Sequence, residues 1–477
     1  MPKGIAVKLQ DRMNEAEKGD TQNVRQLRNV VKELFPKKLF KAICQRDFAT
    51  WQPHLLAACA FLWMACHEKN LTDSFAFVHK IVLAIFTTVR KLGTSYQGFT
   101  NQLGRYNARI MAVILPHLRG LTKSKLKDFW LVAGFLLVGV DGSRVQLAWT
   151  KSLKAAFAPK KKKNDTKRKY KSRTKRSKRK QSDKECGKKA ESPQLWLTLF
   201  WHVGTGLPYN WRIGPSDSSE REHAMQMFAE LPDGALVVAD AGFIGYDFWS
   251  SLLESKKRFL IRVGGNVTLL RQLGWSTKER KDTVYLWPKG KRDREPLCLR
   301  LIRIHDGRQS LCLVTNLEEA DLSCGAALEI YRRRWGIELF FRTLKQTFDR
   351  RKLRSTGATN APLELEWSLV TLWGMCLIGE ETVRKTGEEI FRTSAAKVLK
   401  AFGAAIRDYR VDIEWQESLK SLLKESLLDD YERAGSKTNR EYPRKSQRVK
   451  IHEPVIEIAS KMAKNQAKSL KSRTSIA

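Results

Sequence analysis

No run of about eighteen apolar residues occurs in this 477-residue chain, and no cysteine lies within three positions of another. Each shortage excludes something. The longest apolar stretches, Phe129–Val140 and Leu55–Ala65, are too short to span a bilayer, so no membrane is expected as a partner. The eight cysteines (Cys44, Cys59, Cys66, Cys186, Cys298, Cys312, Cys324, Cys376) form no Cys-x-x-Cys pair, which argues against a zinc site and a disulfide framework and leaves most of them as core thiols. The opening residues, MPKGIAVKLQDRMNEAEKGD, carry neither an apolar core nor a small-residue cleavage site, so a cytoplasmic protein is expected. Acidic residues are scarce relative to basic ones: 50 Asp and Glu face 88 Lys and Arg, a net charge of +38. Such a field attracts polyanions, which makes nucleic acid the expected partner.

What is present divides the chain into stretches of different character. Residues 1–127 read as helical and basic, with apolar spacings of three and four over Val24–Leu34, Phe75–Leu92 and Gln102–Leu118. They could form a DNA-binding domain or a packed bundle with solvated Lys and Arg; no helix-turn-helix spacing decides between them. From residue 128 to 263 the pattern turns to strands and helices. FWLVAGFLLVGV, then DGSR, then VQLAW suggests two strands around a tight turn, and further strands are expected at Leu195–Val203, Ala235–Ala239 and Arg258–Val263, with helices at Ser219–Glu230 and Gly245–Glu254. Alternating strand and helix implies an α/β sheet. Within this region lies an insertion, residues 158–190; its segment Lys160–Lys189 holds seventeen basic and three acidic residues in thirty, a net +14 expected to stay disordered and able to grip DNA. Residues 264–318 read as a β insertion, residues 319–360 as the end of the α/β domain with a long helix at Ala326–Arg350, residues 361–432 as helical (Leu363–Ile378, Ala395–Arg407, Trp415–Leu428), and residues 433–477 as a poorly ordered basic tail.

On the long helix, at about 100° per residue, Tyr331, Arg334, Glu338, Arg342 and Lys345 share one stripe, while Ile337, Phe340, Phe341, Leu344 and Phe348 form a face that can pack on a sheet. One carboxylate thus stands among four groups able to bind phosphate. By spacing alone, Glu338 could equally form an ordinary ion pair with Arg334 or Arg342. Two further acids change the balance: Asp141 ends the first apolar strand and Asp240 ends VVAD, so both can project from strand ends of one sheet, where α/β sites lie. Each has a plain alternative, since Asp141-Gly142 is a common hairpin turn and Asp240-Ala241-Gly242 a common loop; Asp247 is the most tempting wrong choice for the second acid. Three convergent carboxylates repel one another unless a hard cation lies between them, and oxygen-only ligation favours Mg²⁺ or Mn²⁺. Paired ions of that kind activate water on one side of a phosphorus and stabilise the leaving oxygen on the other.

Tyr331, two residues, Arg334, three residues, Glu338, six residues and Lys345 resemble the tyrosine-arginine-glutamate-lysine signature of a large family of bacterial insertion-sequence DDE transposases, and VDGSR and ADAGFIGYDFW resemble its two aspartate boxes. The resemblance spans about residues 135–350. It implies a ribonuclease H-like catalytic domain, a mixed sheet with flanking helices, interrupted by a β insertion before the glutamate. It further implies metal ligation by Asp141, Asp240 and Glu338, phosphate contacts from Tyr331, Arg334 and Lys345, double-stranded DNA as the partner and the nucleoid as the place of work, a homodimer that holds two DNA ends, and cut-and-paste transposition. Arg342 and Trp335 lie beside the same stripe; Trp335 could stack on an extruded base or simply pack. The Lys-rich tract is foreign to the family pattern. A tyrosine recombinase is the rival mechanism, because His305 to Arg308 fit HxxR and Tyr331 follows, although Asp306-Gly307 reads as a hairpin turn. A non-catalytic basic DNA-binding protein is the rival without chemistry, and the isolated histidines argue against a rolling-circle nuclease.

Overall fold

The computed structural model describes residues 20–43, 50–66, 68–87, 92–159, 192–305, 310–410, 418–429 and 452–474. The Lys160–Lys189 tract and Asp306–Arg308 lie outside the described residues. Ten strands form one sheet: β1 (Leu137–Gln146), β2 (Gln194–His202), β3 (Leu207–Gly214), β4 (Leu236–Ala239), β5 (Arg258–Val263), β6 (Thr268–Arg271), β7 (Thr283–Leu286), β8 (Leu297–His305), β9 (Ser310–Thr315) and β10 (Val455–Ile458). Their order is β10-β6-β7-β8-β9-β5-β4-β1-β2-β3. In the half that matters for the site, β1, β2 and β3 run as an antiparallel meander, whereas β1, β4 and β5 are parallel neighbours. That arrangement, 3-2-1-4-5 with the second strand reversed, is the ribonuclease H-like mixed sheet.

Two local expectations are corrected. Asp141-Gly142 is not a hairpin turn: β1 continues through it, because β2 pairs along its whole length from Val138↔His202 to Gln146↔Gln194. The turn lies earlier, at Ala133 and Gly134, both left-handed (φ 50° and 82°), and it removes Phe129–Trp130 from the strand. The strands of residues 264–318 extend the same sheet, β9 pairing antiparallel with β5. The end of the chain is not unstructured throughout: β10 adds to β6 in parallel, and the helix Lys461–Thr474 buries Ala463 and Ala467 against the same core. Four residues, three of them apolar, are too few to show a period, so only the open edge of β6 explains that strand.

Helices cover both faces. Glu220–Met227, Tyr246–Glu254 and Lys461–Thr474 bury one face of the sheet. The other packs against a helical layer of Gln22–Leu34, Pro53–Ala65, Leu71–Ile85, Tyr96–Lys125, Asn360–Arg384 and Ala395–Arg407, whose apolar residues merge with those of β1 and β2 in one cluster. Asn360–Arg384 is long and apolar enough to cross a bilayer, a point the shorter apolar runs conceal; 89% of its most apolar window is buried inside the protein, which makes it the core of the helical layer. Arg350, 3% exposed, ties its own segment to this layer by donating to Ser368 Oγ (2.8 Å) and to the carbonyls of Phe348 (2.9 Å) and Met64 (3.1 Å).

The long helix expected at Ala326–Arg350 is broken into Cys324–Arg333, Gly336–Arg342 and a π-helical turn at Thr343–Thr347. The break follows from packing: any Cβ at Gly336 would overlap the indole of Trp201 on β2, so the helix seats itself on the sheet only at that glycine. Gly336→Ala is expected to cost about 1–3 kcal/mol through overpacking, measured by denaturant unfolding. A cost below a few tenths would show that the helix does not depend on this contact.

Candidate active site

β1 and β4 run parallel with Leu137, Val138 and Gly139 opposite Leu236, Val237 and Val238. Continuing that register by two residues brings Asp141 level with Asp240, on adjacent strands and at the end of β4. Each carboxylate is oriented by a nearby glycine N–H: Asp141 Oδ1 accepts from Gly142 (2.8 Å) and Asp240 Oδ1 from Gly242 (2.8 Å). Asp247, by contrast, stands on the next helix and pairs with Lys291 (2.9 Å) and Arg294 (3.6 Å) of the β insertion. It belongs to the scaffold.

The broken helix brings the third acid across. Glu338 sits in the first turn of Gly336–Arg342, half-buried, and accepts from Arg334 Nη2 at 3.2 Å. This pair does not turn the acid away. Arg334, 8% exposed, lies over the Tyr331 ring (5.6 Å) and is held charged by Tyr331, Asp240, Asp141 and Glu338 together, in spite of its burial. Burial pushes the Asp141 carboxyl up to about 6; the Gly142 N–H and Arg334 pull it down, while the charges of Asp240 and Glu338 raise it further. These mutual effects put the three acids in one electrostatic neighbourhood.

Lys345 donates to Ser143 Oγ at 2.6 Å, so the DGSR segment and the end of the broken helix are tied directly. Burial and Arg351 lower the Lys345 pKa, and Asp141 raises it. The π-helical turn, in which Phe348 N donates to Thr343 O (2.8 Å), shifts Lys345 from its straight-helix angle, yet Lys345 still meets Ser143 and feels the charge of Asp141. Tyr331 is half-buried, its phenol pushed up by burial and pulled down by Arg334 and Arg262. Arg342 is exposed, and Trp335, 57% exposed, stands at the start of the Glu338 helix.

One acid escapes sequence reading. Glu220 begins the helix Glu220–Met227, and its carboxyl is pushed up to about 7 by burial, then by Asp141 and Asp240, against the pull of Arg144 and Arg221. Nothing in SSEREHAM distinguishes it from Glu222 two residues on, as both look like ordinary first-turn acids.

The donors are all oxygen, which suits a hard divalent cation. Among the described residues no three acids, histidines or cysteines already close into a cage; Arg334 is the charge the acids now share. The pKa shifts have a stability consequence. A carboxyl raised on folding favours the folded state below its unfolded pKa of about 3.8 and loses that contribution as pH rises through about 6. Asp141→Asn is therefore expected to melt higher than the parent in EDTA, with the difference growing as pH rises through about 6. A difference that is flat across this range would mean that neither burial nor neighbouring charge shifts the Asp141 carboxyl.

Comparison with known proteins finds likeness over part of this chain. Residues 165–372 match the transposase DDE domain, a span that includes Asp240 and Glu338 and begins after Asp141. The transposase InsG of insertion sequence element IS4 from Escherichia coli is 25% identical over 206 residues, 40% of this chain and 44% of that protein. The putative transposase y4zB of Sinorhizobium fredii is 32% identical over 141 residues, 27% of this chain and 38% of that protein. The chain thus spans less than half the length of these curated relatives. A cryo-EM structure of a piggyBac transposase synaptic complex with hairpin DNA has a TM-score of 0.38 at 11% identity, covering 86% of this chain and 87% of that one, a likeness too loose to assign anything. Over residues 165–372 the chain is thus similar to the transposase DDE domain, and over parts of its length it is similar to these two transposases.

Proposed function

We propose that this chain catalyses cut-and-paste transposition of an insertion sequence, using Asp141, Asp240 and Glu338 to hold divalent ions, Mg²⁺ or Mn²⁺. The observation that carries the reading is the parallel register that sets Asp141 beside Asp240, with Glu338 brought near by a helix seated on the same sheet. When bound, such ions supply an activated water and stabilise the leaving oxygen of a phosphodiester. The chain's own groups do the rest. Arg334 holds Glu338 in place and, being buried and charged, can meet a phosphate oxygen as the acids turn to the ion. Lys345, fixed on Ser143, offers a positive charge beside the scissile phosphate; Tyr331 and exposed Arg342 extend the phosphate-binding stripe, and exposed Trp335 presents a ring on which a base can stack.

Hydrolysis at a terminal inverted repeat would free a 3′ hydroxyl, which would then displace a target-strand oxygen at phosphorus to join the two DNAs. Two ends have to be held at once, which calls for a homodimer. The net charge of +38 supports DNA as the partner and predicts steep salt dependence.

Asp240→Ala is expected to keep binding to the element's ends while strand cutting in Mg²⁺ falls by about a thousandfold, the scale of several kcal/mol at the transition state. Robust residual cutting would remove Asp240 from the chemistry; binding without metal-dependent cutting in the parent itself would leave a basic DNA-binding protein. Lys345→Ala is expected to weaken end binding and to lower the slope of log K against log salt by about one. An unchanged slope would deny Lys345 its phosphate.

A further inference from the structure

Glu220 is positioned with more care than a helix-capping acid requires. Ser219 caps the helix by accepting from Glu222 N (3.4 Å), which leaves the Glu220 side chain free of that task. It leans instead on Gly142, the residue after Asp141. A Cβ at Gly142 would lie 2.5 Å from Glu220 Oε1, 2.6 Å from its Cδ and 2.7 Å from its Cγ, so the acid fills the space in which any other residue's side chain would begin. The same glycine donates its N–H to Asp141 Oδ1. Two carboxylates thus flank one bare Cα on the central strand of the sheet.

The nearby cations are engaged elsewhere. Arg144 stacks on Trp196 (4.4 Å to the ring centroid), and Arg221 donates to the carbonyl of Ile244 (2.7 Å). Among the described residues no salt bridge reaches Glu220. A half-buried acid set against a second acid without a cation between them is unfavourable, and the glycine that permits it would be gratuitous in a purely structural strand. Building on the assignment of Asp141, Asp240 and Glu338 to divalent ions, we propose that Glu220 is a fourth acidic group of the same cation pocket, positioning the ion alongside Asp141, and that residue 142 is glycine in order to admit it.

The test is binding of Mn²⁺ alone to the full chain without DNA, followed at pH 8 by loss of the free-ion EPR signal. The parent is expected to bind, Asp240→Asn to bind weakly, and Glu220→Gln to lose about tenfold in affinity, the scale found for groups that tune a metal site. Gly142→Ala is expected to show a similar loss although every acid remains, because its methyl displaces the Glu220 carboxylate. Glu220→Gln is isosteric, and in EDTA its melting temperature should equal or exceed the parent's, which separates lost binding from lost folding. If Glu220→Gln binds Mn²⁺ as the parent does while Asp240→Asn does not, Glu220 has no part in the pocket. If Asp240→Asn also binds as the parent does, the cation assignment itself fails.

Discussion

Repulsion between acids that the sheet forces together is the constraint on which this structure turns. Backbone pairing between β1 and β4 fixes Asp141 and Asp240 side by side with no regard for their charge. Burial and mutual proximity then push Asp141 well above the ordinary carboxylate range. A purely structural protein would relieve such a pair by losing one acid. Here the neighbourhood instead recruits Arg334, a buried cation that senses all three acids.

Holding that arrangement requires a stiff frame. Gly336 lets the Glu338 helix rest on Trp201, and Arg350 uses three hydrogen-bonding groups from separate parts of the chain to lock the end of that helix against the helical layer. The N-terminal helices share one apolar cluster with β1 and β2 and so help support the strand that carries Asp141. Those helices connect to the strand through packed side chains rather than through a flexible linker.

Much of the α/β region was legible from period and punctuation. LWLTLFWH and RFLIRV are short, dense apolar runs bounded by polar residues, and β2 and β5 lie where those runs do. The turn reading of Asp141-Gly142 failed because a dipeptide preference worth a fraction of a kcal/mol competes with nine consecutive backbone pairings to β2. The long helix failed in a similar way: Tyr331 to Phe348 keep a helical period, but the pressure of Trp201 at Gly336 and the π-helical turn are tertiary events. β3 and β10 lacked a distinguishing pattern, and each forms by adding to a strand edge already present.

The sequence by itself determined the kinds of groups available: a strongly basic chain, oxygen-only acids at two apolar run ends, and a helix with one carboxylate among phosphate-binding residues. Those are properties of residue type and near-neighbour spacing, which local chemistry dictates. Only the tertiary structure decided which acids are neighbours, that Glu220 joins them, and that Arg334 stands among them, because strand register and helix seating arise from contacts between residues roughly one hundred positions apart. Asp141 and Asp240 come level through hydrogen bonds between main chains, and a main chain carries no side-chain signature to read in advance.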